Sequence, residues 1–256
     1  MLNSKKKIFV AVTNDISTDQ RVHKISNYLV RKNFDVLVYG RVLSTTFSLK
    51  RTYQIQRKKH LFNHHFLFYA EYNFRLFFKL LFYKCDVILA NDLDTLPACF
   101  FASKFKKTKL VYDSHELFSE GPELQGRNFV KGFWRVLENF FLPKIKKSYT
   151  VSQSIADYYN TKHKANFGVV KNVPLLQREI VKVDAKFPTK YKTVLYQGVL
   201  NPGRGIKPMI KALHLLENVD LIIIGYGKVE VALQQFVKDE LLESRVHFLG
   251  RIPHEE

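Results

Sequence analysis

The sequence predicts an α/β fold of two consecutive domains, each a parallel sheet covered by helices, with the second domain incomplete. Three observations carry this expectation. Strand-like and helix-like patterns alternate from the first residues, as expected of parallel strands joined by helical crossovers. The alternation breaks once, in the polar stretch Asp184 to Lys192 with its Phe187-Pro188-Thr189, and then restarts. After the restart there is room before Glu256 for only three strands and two helices. Sheets that small leave edges unpaired, which natural folds avoid, so residues are expected to be missing from the end.

The elements follow in order. Lys7 to Thr13 is apolar and β-branched and reads as a strand; Asp19 to Lys32 reads as a helix because Val22, Ile25 and Leu29 fall on one face. Phe34 to Tyr39, Tyr53 to Arg57, Asp86 to Ala90, Lys109 to Asp113, Ser148 to Ser152 and Phe167 to Lys171 continue the first sheet. The first domain is placed at 1–183 and the linker at 184–192. In the second domain, 193–256, strands are expected at Thr193 to Gln197, Val219 to Ile224 and Arg245 to Leu249, with helices at Gly205 to Leu216 and Lys228 to Leu242.

Composition narrows the function. With 256 residues and 46% hydrophobic content the chain is globular, and a formal charge of +18 favours anionic partners such as nucleotide diphosphates, nucleic acid or acidic lipid headgroups. No nucleic-acid module is recognisable, so nucleic acid is not expected as a partner. The basic start is followed by an apolar run, Ile8 to Val12, far too short for a signal peptide. Arg75, Lys79 and Lys84 interrupt the most hydrophobic segment, which therefore does not read as a bilayer span. Cys85 and Cys99 show neither metal-ligand nor disulfide spacing and read as buried apolar residues in a reducing cytoplasm. Residues 61–83 are rich in Phe and Tyr and lie among Lys58, Lys59, Arg75, Lys79 and Lys84, with apolar residues on more than one helical face. Two readings stand side by side: an interfacial helix on anionic lipid, or a core helix with a basic wet side.

The polar residues that could carry chemistry sit just past strands, where doubly wound sheets bind ligands. The loop after the first strand runs from Thr13 through Asn14, Asp15, Thr18 and Asp19 to Arg21. It lacks Gly-x-Gly-x-x-Gly and Walker sequences, which argues against a dehydrogenase or a P-loop NTPase. Thr18 or Asp19 should cap the helix, and Arg21 can face the cleft. Asp92-Leu93-Asp94 suggests a metal pair, but the following Thr95-Leu96-Pro97 favours one aspartate as a helix cap and the other as a cleft residue. Asp113-Ser114-His115-Glu116 brings a histidine able to donate to a substrate oxygen or act as acid or base. A phosphate signal lies in the second domain, where a strand runs into Gly198, then Gly203-Arg204-Gly205 and a helix, with Gly225-Tyr226-Gly227 after the next strand. Glycines admit close backbone approach, and Arg204 offers a forked cation to a diphosphate.

In their order and spacing these segments, with Val170-Lys171-Asn172-Val173-Pro174 and Arg245-Val246-His247-Phe248-Leu249-Gly250, resemble the retaining glycosyltransferases of family 4, the group 1 glycosyl transferases. The resemblance implies a GT-B fold of two Rossmann-like domains. It also implies transfer of a sugar, with retained configuration, from a nucleotide-sugar donor to an acceptor hydroxyl in bacterial cell-surface polysaccharide or glycolipid synthesis. His115 and Arg204 are the expected catalytic residues. Donor contacts are expected from Gly198, Gly203, Arg204, Gly205, Lys207, Gly225 and Gly227, and acceptor contacts from Asn14, Asp15, Asp19, Arg21, Asp92, Asp113 and Glu116. No cofactor and no metal are expected; the partners are the donor, a saccharide or lipid-linked acceptor, and an anionic membrane surface at the cytoplasmic face. Two departures stand out. Val199 occupies a place where relatives carry arginine, and the family's paired glutamates would lie beyond Glu256. The activity of the chain as given is therefore open, and the alternative is a non-catalytic fragment that binds membrane or acceptor.

Overall fold

A computed structural model describes residues 5–17, 19–43, 50–121, 124–174 and 191–252. The chain divides into two compact units, Met1–Leu175 and Leu176–Glu256. Most of the expected linker, 184–190, lies outside the described residues, as does Thr18; Lys192 opens a strand.

The first unit is one parallel sheet of seven strands. They are β1 (Lys7–Asp15), β2 (Asp35–Arg41), β3 (Gln54–Lys58), β4 (Val87–Asn91), β5 (Lys109–Ser114), β6 (Ser148–Thr150) and β7 (Phe167–Val169). Their spatial order is β3-β2-β1-β4-β5-β6-β7. Winding therefore reverses between β1 and β4, which opens a crevice at the carboxyl ends of those strands. β1 is buried almost throughout because helices cover both its faces. On one face α1 (Gln20–Arg31) lays Val22, Ile25 and Leu29 over Val10, Val12 and Val38. On the other lie α2 (His65–Phe82), α3 (Leu96–Lys106), α4 (Asn128–Phe141) and α5 (Gln153–His163).

Phe68, Tyr72, Leu76 and Leu80 repeat every four residues and form the buried stripe of α2. The single tryptophan, Trp134 on α4, is buried with its ring 5.1 Å from Tyr69, 4.9 Å from Phe118 and 5.4 Å from Phe133. Cys99 is fully buried in the same layer and Cys85 half-buried beside it. The last two strands of this sheet are shorter than expected. Ser152 leaves β6 to cap α5, accepting from the Ile155 amide, and the Val170 carbonyl leaves the ladder for the Arg21 side chain.

The second unit is a three-stranded parallel sheet of β8 (Lys192–Gln197), β9 (Val219–Ile224) and β10 (Val246–Gly250) in the order β10-β9-β8. α6 (Ile206–Ala212) and α7 (Glu230–Asp239) pack over a core that includes Leu200, Ile210, Leu221, Ile223 and Leu233. The helix expected at Gly205 to Leu216 tightens after Ala212 into a 3-10 turn, Leu213–Leu215. Among the described residues no helix is long and apolar enough to cross a membrane.

Candidate functional site

In the first unit the carboxyl ends of β1, β4, β5 and β6 bring together residues far apart in sequence. Asp19 caps α1 by accepting from the Val22 amide at 3.0 Å, and this fixes the first helical turn. Arg21 on that turn is 6% exposed. Its Nη2 donates to Asp113 Oδ1 at 2.7 Å and its Nε to Oδ2 at 3.1 Å, a forked pair with a carboxylate that is 0% exposed. Nη1 donates to the Val170 carbonyl at 3.0 Å, and the guanidinium lies 5.7 Å from the Tyr149 ring centroid.

His115 sits between two carboxylates. Its backbone amide donates to Asp92 Oδ1 at 2.8 Å, its Nδ1 lies 3.1 Å from Asp92 Oδ2, and its Nε2 lies 3.4 Å from Asp113 Oδ2. The second imidazole contact is longer and poorly directed, so Nε2 makes no hydrogen bond while Nδ1 is secured. Burial disfavours the imidazolium, but Asp92 and then Asp113 overcome it and push the His115 pKa up to about 9. Burial also raises Asp92, to about 6, with the charge of His115 opposing. Asp92 is held at φ 59, a left-handed conformation that costs a non-glycine residue about 1 kcal/mol. Its amide donates to the Asp113 carbonyl at 2.8 Å, which ties β4 to β5 at this point.

Neither Asp92 nor Asp94 caps α3, contrary to the expectation for that pair. Thr95 occupies the cap position without a side-chain cap bond, and its hydroxyl donates to the Asn91 carbonyl instead. Asp94 accepts from the Thr13 hydroxyl across the β1–β4 gap, and burial raises its carboxyl to about 7. Of the other expected residues, Asn14 is exposed and reaches Asp19 at 3.4 Å, and Asp15 is buried and accepts from the Ser17 amide at 2.9 Å. Glu116 turns its side chain to solvent while its carbonyl accepts from Ser114 and Tyr159. The structure thus groups Arg21, Asp92, Asp113 and His115 tightly, with Arg21 and Asp113 enclosed as their frame. Thr13 was marked only as the first residue of the loop after β1, and Tyr149 was not marked at all; its strand-end position was the available signal.

In the second unit the expected donor residues meet through backbone. A Cβ on Gly225 would stand 1.8 Å from the Gly198 carbonyl oxygen, and one on Gly227 would stand 2.3 Å from that of Leu200. The loops after β8 and β9 therefore lie main chain against main chain, joined by Gly198 N to Ile224 O at 3.0 Å and Leu200 N to Tyr226 O at 3.0 Å. Gly203 and Gly205, at φ 81 and 72, flank an exposed Arg204. Lys207 is exposed and its ammonium rests 4.9 Å from the Phe236 ring centroid.

Comparison with known proteins gives a consistent answer. A family profile described as "Glycosyltransferase Family 4" matches residues 19–172, more than half the chain, and one described as "Glycosyl transferases group 1" matches residues 177–256. No curated protein sequence matches. Among solved structures, sucrose-phosphate synthase from Thermosynechococcus elongatus superposes with a TM-score of 0.82 at 14% identity, covering 98% of this chain and 72% of that one. Anabaena HepE, solved with UDP and glucose, gives 0.69 at 17% identity, covering 96% and 70%. The lipopolysaccharide outer core galactosyltransferase WaaB in its apo form gives 0.60 at 14% identity, covering 98% and 69%. At these identities the structural likeness speaks for the fold: two Rossmann-like units of the GT-B type.

Proposed function

The chain belongs to glycosyltransferase family 4, and from that membership we propose that it moves a sugar from a nucleotide-sugar donor to an acceptor hydroxyl, with retained anomeric configuration. The observation that carries the donor half is the glycine-on-glycine contact of Gly225 against Gly198 beside the exposed Arg204. It brings the loops after β8 and β9 together at one sheet edge, and the loop after β8 carries an exposed guanidinium, the group that forks onto a diphosphate. The departing diphosphate gathers negative charge as the glycosidic bond breaks, and Arg204 opposes that charge. Lys207 joins only by leaving the Phe236 ring. Gly203 and Gly205 let the loop present Arg204 outward.

On the acceptor side, Arg21 and Asp113 hold the frame while His115 and Asp92 present it to the sugar. His115 stays cationic at neutral pH and sets a positive charge toward a sugar or acceptor oxygen. Asn14, Asp19 and Glu116 supply outer acceptor contacts. For the acceptor we propose a saccharide or a lipid-linked sugar in bacterial cell-surface synthesis at the inner membrane face; a lipopolysaccharide outer core galactosyltransferase is among the proteins that share the fold.

Calorimetric titration of the full chain with UDP- and GDP-sugars tests the donor assignment, and NMR of the product anomer tests retention. Absence of binding to either nucleotide class would overturn the first, and an inverted product the second.

A further inference from the structure

The outer surface of the first unit's helical layer is aromatic. On α2, Phe66, Phe74, Phe78 and Phe82 are 63%, 66%, 43% and 84% exposed. On α4, Phe129, Phe133, Val136 and Phe140 recur at spacings that place them in one stripe, and all four are exposed. Phe101 and Phe105 continue the surface on α3. Ring contacts join the three helices: Phe66 to Phe133 at 5.8 Å, Phe77 to Phe105 at 6.0 Å and Phe101 to Phe141 at 5.9 Å. A continuous apolar face spread over three helices marks an interaction surface.

Charge selects the partner. The three helices contain two acidic residues, Glu71 and Glu138, and both are withdrawn. Glu71 accepts from the Leu61 and Phe62 amides and pairs with Arg75 at 2.8 Å, while Glu138 is 1% exposed and holds Ser119. The cations stand against the rings instead: Lys79 over Tyr83, Lys104 over Phe100 and Lys144 over Phe140. Two copies meeting through this face would set ammonium against ammonium with no outward acid on these helices to offset them. A bilayer with anionic headgroups satisfies both halves, because aromatic rings settle at headgroup depth and ammonium groups meet phosphate.

We infer that the joint face of α2, α3 and α4 docks this protein on an anionic lipid bilayer. The inference deepens the lipid side of the proposed function, and its test needs no sugar transfer.

Flotation of the full chain with vesicles of phosphatidylcholine, alone or mixed with phosphatidylglycerol, reads it directly. The wild type binds the mixed vesicles and releases them at high salt. Phe105→Asp combined with Phe129→Asp, at positions 75% and 90% exposed, lowers that binding about tenfold with unchanged circular dichroism. Lys104→Glu combined with Lys144→Glu removes the preference for the anionic lipid and serves as an independent arm should the first pair misfold. Failure of the wild type to float, equal binding to both vesicle types, or binding unmoved by either pair would overturn the docking. So would a lipid-free dimer, seen by light scattering, that the aspartates dissociate. Transfer to a water-soluble acceptor, measured separately, bears on the reaction alone.

Discussion

Gly225 lies so close to Gly198 that any β-carbon placed on it would overlap the Gly198 carbonyl oxygen, at 1.8 Å. Its φ of 149 is itself a region that side-chain-bearing residues rarely enter. Gly225→Ala should therefore force the loops after β8 and β9 apart and destabilise the second unit by roughly 2 kcal/mol or more. Urea unfolding monitored by circular dichroism checks this, and a variant as stable as the wild type would contradict the close approach.

Arg204 is exposed, so its removal should leave stability alone and strike binding. Arg204→Ala is expected to weaken UDP binding about tenfold or more, the loss of one charge-assisted forked contact, at an unchanged melting temperature. An unaltered dissociation constant by calorimetry would remove Arg204 from the phosphate site.

Arg21→Lys tests the enclosed frame. Lysine keeps the charge but cannot make the fork to Asp113, and it leaves a carboxylate with 0% exposure poorly paired. The expected loss is about 3 kcal/mol in denaturant unfolding. A near-neutral result would mean that the Asp113 charge is satisfied by His115 alone.

Two titrations follow from the same cluster. His115 has a folded pKa of about 9, above its ordinary 6.5, so its contribution to stability is complete below 6.5 and disappears as pH rises through 9. NMR titration of the wild type should show this value, and Asp92→Asn should bring it down because the nearest carboxylate is gone. Asp94, raised to about 7 by burial, favours the fold when protonated, and that advantage disappears as pH climbs from 3.8 through 7. Asp94→Asn keeps an acceptor for Thr13 and should gain roughly 4 kcal/mol on the wild type between pH 4 and 8. Parallel stability curves for the two proteins would refute the raised carboxyl.

Strands such as β1, β4 and β9 were legible as short apolar, β-branched runs, whereas polar β3 (Gln-Ile-Gln-Arg-Lys) and β6 (Ser-Tyr-Thr) offered little more than their place in the alternation; every expected strand is present within about two residues of its place. The site was legible as position but not as pairing. Asp92, Asp113 and His115 announce themselves by following strands, whereas the Arg21–Asp113 fork joins residues 92 apart and the Thr13–Asp94 bond joins residues 81 apart. No local pattern encodes such contacts; they arise from strand order, which reverses between β1 and β4. The aromatic surface shows the same limit. Residues 61–83 were conspicuous in the sequence, but the matching stripe on α4 gains meaning only when Phe66 is seen against Phe133.

The position of Trp134 has a practical consequence. As the lone indole it is wedged beneath α4 among Tyr69, Phe118 and Phe133, and the second unit contains none. Emission excited in the far red edge of protein absorption therefore records the melting of the first unit only. Collapse of the second unit passes unseen in that channel, and a calorimeter is needed to count both transitions.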